Sequence, residues 1–197
     1  MRSCSATCCW SWADELLRRC GLPLADVHRA LDLFDLCRSE VITGQFLDVS
    51  AQARGHADVD TAMTVLRYKS AKYSVERRCI GRRAGRRQRP TLAELSAFGL
   101  PLGEAFQLRD DPLGVFGDPA TTGKPAGDDL VEGKRTVLVA LALDAAPADQ
   151  AWADWTPASA LRWTPTPGRP PPRLRRIIDD SGAYAQVEDP PSAQTSR

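Results

Sequence analysis

The 197-residue sequence has no apolar run approaching the roughly 18 to 20 residues needed to cross a bilayer, which excludes a transmembrane helix. Its opening, MRSCSATCCW, holds one early arginine but no apolar h-region, so it does not read as a secretory signal, and the cytoplasm is the expected compartment. Excess charge of either sign is missing too. The 26 Lys and Arg residues nearly cancel the 25 Asp and Glu residues, and a net charge of +1 names no partner. Histidine is scarce, at two residues, and His28 beside an apolar helical stripe reads as a packed or surface side chain rather than a ligand. The six cysteines (4, 8, 9, 20, 37 and 79) fit no standard zinc spacing, and a disulfide framework is not expected in a chain this long.

What remains is an ordinary globular composition, 43% apolar and 26% charged, with enough length for one domain. Helical periodicity dominates it. WSWADELLRR (10–19) carries apolar residues at helical spacing and is stopped by Cys20, Gly21 and Pro23. Leu24, Val27, Leu31, Phe34, Leu36 and Val41 form the apolar side of a longer helix, which continues through SEVITGQFLDVSAQARG. Asp58 to Glu76 reads as another helix with acidic residues in its first turn, where the macrodipole favours them, and with Lys72 as a solvated side chain. Leu92, Leu95, Phe98, Leu102 and Phe106 predict a buried helix within 90–113, and Gly99 and Gly103 on it suggest close helix packing. Arg135 to Ala146 is apolar enough for a core helix.

The sharpest chemical signal is FQLRDDPLGVFGDPATTGKPAGDDLVEGKRT, residues 106–136. On a helix Gln107 shares a face with Asp110 and Asp111, three and four residues on. Two carboxylates, an amide and a Gly/Pro loop carrying Lys124 suit a hard cation and a phosphate, because Mg²⁺ takes one or two carboxylates and completes its octahedron with water and phosphate oxygens. An acidic pair on an exposed helix face is the plainer alternative. The conjunction is less common than the pair.

The runs FQLRDDPLGVFGDP, TGKPAGDDL and EGKRT resemble the second aspartate-rich motif and following loop of the trans-isoprenyl diphosphate synthases, the polyprenyl synthetase family. Upstream, GQFLD matches the family's GQxxD and YKSAKYSVER its diphosphate-contacting lysine segment. The resemblance covers about residues 10–76, 90–146 and 174–188. It implies an all-α, isoprenoid-synthase-type helical bundle, and Mg²⁺-dependent prenyl transfer from an allylic diphosphate to isopentenyl diphosphate. It also implies the roles: Asp110 and Asp111 for Mg²⁺; Lys69, Gln107, Lys124 and Lys134 for the allylic diphosphate, with Lys69 and Lys124 the catalytic pair; Gln45 and Asp48 as support for the cavity. A homodimer, or pairing with a full-length synthase, is the implied assembly.

The chain departs from the family in two ways. No DDxxD followed by paired arginines precedes the second motif, so the helices carrying the first aspartate-rich motif and the isopentenyl diphosphate pocket are expected to be missing by N-terminal truncation; the second motif itself has Gly114 at its fifth position. Segments 1–9, 77–89 and 147–173 share an Arg, Pro, Cys and Trp excess that interrupts good matches, as out-of-frame translation would. The expected organisation is therefore an off-pattern N-terminus (1–9), a partial synthase-like domain (10–146) with an arginine-rich insert (77–89), a Pro/Trp-rich linker (147–173), a C-terminal helix (174–189) and a disordered tail (190–197). On this reading the chain is inactive alone, and the alternative is a non-catalytic helical subunit that pairs with a complete synthase. Nucleic-acid binding through 77–89 is disfavoured, because no aromatic residue interleaves the arginines to stack bases.

Overall fold

The computed structural model describes residues 2–54, 58–84, 92–123, 127–145 and 172–188. Every regular element among them is helical: α1 (Arg2–Arg18), α2 (Leu24–Arg54), α3 (Val59–Leu66), a π-helical segment (Arg67–Glu76), α4 (Arg77–Ala84), α5 (Leu92–Phe116), α6 (Pro119–Thr122), α7 (Asp128–Val131), α8 (Val137–Ala145), α9 (Pro172–Ser181) and α10 (Ala183–Glu188). None of these helices is long and apolar enough to cross a membrane.

Helix α3 starts where Asp58 accepts the Thr61 N–H at 2.6 Å, satisfying one of the free amides of a helix N-terminus. It runs without a break into the π segment and on into α4, since Leu66 and Arg77 at the two joints both hold right-handed helical angles. This composite helix lies between α2 and α5, and glycine sets how closely they approach. A Cβ on Gly44 of α2 would stand 2.4 Å from the Lys69 nitrogen; on α5, one at Gly103 would stand 2.6 Å from the Ala71 carbonyl oxygen and one at Gly99 3.0 Å from the Glu76 Cα. Backbone therefore meets backbone on both sides of the π segment.

Helix α8 forms the centre. Val137 and Ala140 pack with Ala62, Leu66 and Ala71, while Leu138, Val139, Ala142 and Leu143 pack with Val115, Leu174, Ile178, Ala183 and Val187. The C-terminal helices are fastened to α5 by the Arg109–Glu188 ion pair and by the Arg175 guanidinium, which donates to the Val115 carbonyl. Phe116 meets Tyr184 edge to face at 5.6 Å.

Several expectations change. Residues 2–9 of the off-pattern N-terminus form the first turns of α1, and Trp10 packs near Phe34 at 5.9 Å. The start of the arginine-rich segment is helical: α4 carries the helix to Ala84, Ile80 is buried, and the half-buried Arg77 pairs with Glu40. Lys72, expected in solvent, pairs with the buried Glu40. On α5 the apolar stripe faces outward, with Phe98, Leu102 and Phe106 exposed, because the glycine face is the one that fits against the π segment. Residues 85–91 and 146–171, which include the rest of the arginine-rich segment and nearly all of the Pro/Trp-rich stretch, lie outside the described residues.

If backbone contact at Gly44 sets the α2 spacing, Gly44→Ala should destabilise the fold by about 1–3 kcal/mol, as overpacking does. Urea denaturation measures it, and an unchanged midpoint would show that α2 can yield.

Candidate active site

Residues from α2, from α3 and the π segment, and from the stretch 107–137 converge on one cavity of about 620 Å³. The α2 and α3/π elements give Asp48, Ala62, Val65, Leu66, Lys69 and Ser70; α5 gives Gln107, Asp110, Asp111, Leu113 and Gly114; the loop and short helices beyond it give Thr121, Thr122, Asp129, Glu132, Lys134, Arg135, Thr136 and Val137. Six of the eight residues singled out from the sequence are in that lining: Asp48, Lys69, Gln107, Asp110, Asp111 and Lys134. Gln45 is not; it is exposed on α2, because its position points away from the π segment that Gly44 and Asp48 face. Lys124 lies outside the described residues.

Lys69, Asp111 and Lys134 are each aimed by a partner. The Lys69 ammonium sits 2.6 Å from the buried Asp48 carboxylate, which holds it at the cavity edge. Gln107 donates to Asp111 Oδ1 at 3.0 Å, the contact expected of residues four apart on α5. The adjacent aspartates differ in exposure: Asp110 is open to solvent, whereas Asp111 is only 7% exposed. Burial pushes the Asp111 carboxyl up to about 7; the Gln107 hydrogen bond opposes this, and the charges of Asp129 and Asp110 add to it.

Asp129 and Glu132 were not singled out from the sequence. The loop after α5 folds back so that Gly127, at φ +87°, donates to the Gly114 carbonyl at 2.7 Å. That return brings Asp129 over the motif, where its Oδ2 lies 2.8 Å from the place a Cβ on Gly114 would occupy. A side chain at the motif's fifth position would require the Asp129 carboxylate to shift. Lys134 is gripped by Asp129 and, at 3.0 Å, by Glu132. Burial works against its charge, but those two hydrogen bonds outweigh it and raise the ammonium above its ordinary range. No periodicity could have marked Asp129, since its place depends on a turn at Gly127.

The lining carries five acidic residues (Asp48, Asp110, Asp111, Asp129, Glu132) against three basic ones (Lys69, Lys134, Arg135). Among the described residues no three Asp, Glu, His or Cys side chains converge as a ready-made metal cage. Mg²⁺ does not require one, because one or two carboxylates suffice when water and phosphate oxygens complete its shell. The surplus of carboxylate oxygens in the lining fits such a cation.

The pH dependence follows. The Asp111 value in the fold, about 7, lies above its ordinary 3.8, so the metal-free fold is penalised where this carboxyl is charged. That penalty should lessen as pH falls from above 7 toward about 4, and Asp111→Asn should remove this component. Thermal midpoints of both proteins across that range check it, and parallel profiles would contradict it.

The family model for polyprenyl synthetase matches residues 4–156. The chain is 34% identical over 116 residues to a geranylgeranyl diphosphate synthase of Mycobacterium tuberculosis, a match covering 59% of this chain and 33% of that protein. To a geranylfarnesyl diphosphate synthase of Aeropyrum pernix it is 32% identical over 126 residues, covering 64% and 40% respectively. Its fold matches that of a geranylgeranyl pyrophosphate synthase from Corynebacterium glutamicum, complexed with isoprenyl diphosphate and magnesium, with a TM-score of 0.71 and 40% identity over 90% of this chain and 50% of that one. A polyprenyl synthetase from Streptomyces coelicolor gives a TM-score of 0.74 at 25% identity, over 91% and 53%. The chain thus spans about half the length of these solved relatives and less of the two curated ones. With its motif pair on α5, its helical fold and the family match over most of its length, this chain belongs to the polyprenyl synthetase family.

Proposed function

We propose that the cavity is the allylic-diphosphate half of a Mg²⁺-dependent prenyl transferase site. One observation carries the reading: Lys69, Gln107, Asp110, Asp111 and Lys134, from separate segments, line a single cavity with an apolar wall of Ala62, Val65, Leu66, Leu113 and Val137. Such a wall suits a prenyl chain, and the charged end suits its diphosphate.

In this reading Asp110 and Asp111 hold Mg²⁺, with Asp129 beside them. Bound there, Mg²⁺ supplies the neutralising charge that makes diphosphate a leaving group. Lys69, fixed by Asp48, and Lys134, fixed by Asp129 and Glu132, meet the diphosphate oxygens; the family resemblance adds Lys124, which lies outside the described residues. Gln107 keeps Asp111 oriented. The allylic C–O bond breaks with its electron pair leaving on the diphosphate; the isopentenyl double bond attacks the resulting carbocation, and a proton is then lost from the adduct. The second substrate and the facing carboxylates need a second wall, because no DDxxD occurs in these 197 residues.

The acidic surplus makes the metal a precondition. A diphosphate entering a cavity with five acids and three bases meets net repulsion until cations are in place. Calorimetry should therefore show inorganic pyrophosphate binding with Mg²⁺ and none in EDTA, and Lys69→Met should weaken it roughly 10- to 100-fold, the loss of a charge-assisted contact. Equal binding in EDTA would overturn the reading.

A second reading, a non-catalytic subunit that pairs with a complete synthase, is favoured by a separate observation. Ile42, Phe46 and Val49 on α2, and Phe98, Leu102 and Phe106 on α5, are exposed at helical spacing. Large exposed apolar patches mark partner surfaces. On this reading the chain and a full-length homologue co-elute in size-exclusion chromatography, and Phe46→Glu combined with Phe106→Glu separates them. Independent elution of the unmodified proteins would rule it out.

A further inference from the structure

Outside the cavity, at the far end of the π segment, lies a second charge cluster that the proposed chemistry does not use. Glu40 of α2 is buried, and one carboxylate serves two cations: Lys72 donates to Oε1 at 2.7 Å, while Arg77 donates to Oε2 through Nε at 2.7 Å and to Oε1 through Nη2 at 2.5 Å. Glu76, also buried, stands beyond hydrogen-bond reach of both, its Oε2 4.0 Å from Lys72 and 3.9 Å from Arg77. Burial pushes the Glu40 carboxyl up, but the hydrogen bonds from Arg77 and Lys72 outweigh it and hold the group below its ordinary value.

The spacing of the two cations is the informative feature. Lys72 and Arg77 are five residues apart, and on an α-helix, at about 100° per residue, they would point about 140° apart. One carboxylate on a neighbouring helix would not be expected to hold both. In a π-helix, residues five apart stack on one face, and the backbone shows that stacking: the Arg77 N–H bonds the Lys72 carbonyl. Glu40 thus grips the side chains of the donor and the acceptor of one π hydrogen bond. The opposite face repeats the register, for Ala71 and Glu76, also five apart, meet Gly103 and Gly99, four apart on α5.

We propose that Glu40 is a positioning residue: by holding Lys72 and Arg77 together it selects the π winding of Arg67–Glu76, and so the direction in which Lys69 and Ser70 meet the cavity. The consequence for ligand binding rests on the diphosphate reading of that cavity; the winding itself does not. Without the grip, the segment returns to i→i−4 hydrogen bonding, which turns Lys69 relative to Asp48 and the α5 aspartates.

Scalar couplings across backbone hydrogen bonds test this in the full chain labelled with ¹⁵N and ¹³C. The native protein should couple the Arg77 amide nitrogen to the Lys72 carbonyl carbon, whereas Glu40→Gln should lose that coupling and gain one to the Tyr73 carbonyl. Mg²⁺ with inorganic pyrophosphate should bind the variant roughly 10- to 100-fold more weakly, the effect of a small misplacement. Should Glu40→Gln not fold, Lys72→Met, which leaves Glu40 paired with Arg77, should show the same change of coupling in part. Retention of the Lys72 coupling at full strength in the variants that fold overturns the proposal. A changed coupling with unchanged pyrophosphate affinity overturns the link to Lys69. Failure of the native protein to bind Mg²⁺ and pyrophosphate removes the diphosphate reading instead, and leaves the winding to be judged by the couplings alone.

Discussion

The contact on which the rest of the molecule depends is the backbone-to-backbone packing of the π segment between α2 and α5. Gly44 on one side and Gly99 and Gly103 on the other bring helix axes closer than any side chain would permit. Closeness of this kind fixes translation and rotation together, because a slip of one residue would bring larger residues into the gap. Lys69 and Ser70 take their positions from that fixed segment, and the α5 aspartates take theirs from the other side of the same contact. A wide helix at a functional site is a recurring association, and its cost is borne here by well-matched neighbours.

Electrostatics then distinguishes the two ends of the segment. At the distal end, the buried Glu40 and Glu76 and the half-buried Lys72 and Arg77 make a charge-balanced cluster, the kind in which removing one partner is far more damaging than the pair is stabilising. At the cavity end the acids outnumber the bases, and burial raises the Asp111 carboxyl to about 7. On the proposed reading, a cation entering the cavity would offset the charges of Asp110 and Asp129 that oppose ionisation of Asp111, and so would prepare the same space for an anion.

Much of this was legible in the sequence. The helical class followed from periodicity, and the Gln107, Asp110 and Asp111 arrangement followed from three- and four-residue spacing on one helix. The core role of α8 followed from its apolar run. What stayed hidden depended on geometry that local spacing does not encode. Asp129 reaches the motif only because the chain turns back at Gly127. Gln45 was placed in the cavity by its motif, yet the face of α2 that meets the π segment is set by Gly44. Lys72 and Arg77 looked unrelated because their five-residue separation belongs to no common helical face, and only the π winding gives it meaning.

The most direct test of a metal-gated diphosphate site is a crystal of this chain soaked with Mg²⁺ and inorganic pyrophosphate, beside one soaked with pyrophosphate in EDTA. Anion density is predicted between Lys69 and the Asp110–Asp111 pair in the first crystal, with none at that place in the second. Density there without metal, or an anion bound only elsewhere on the protein, would contradict it.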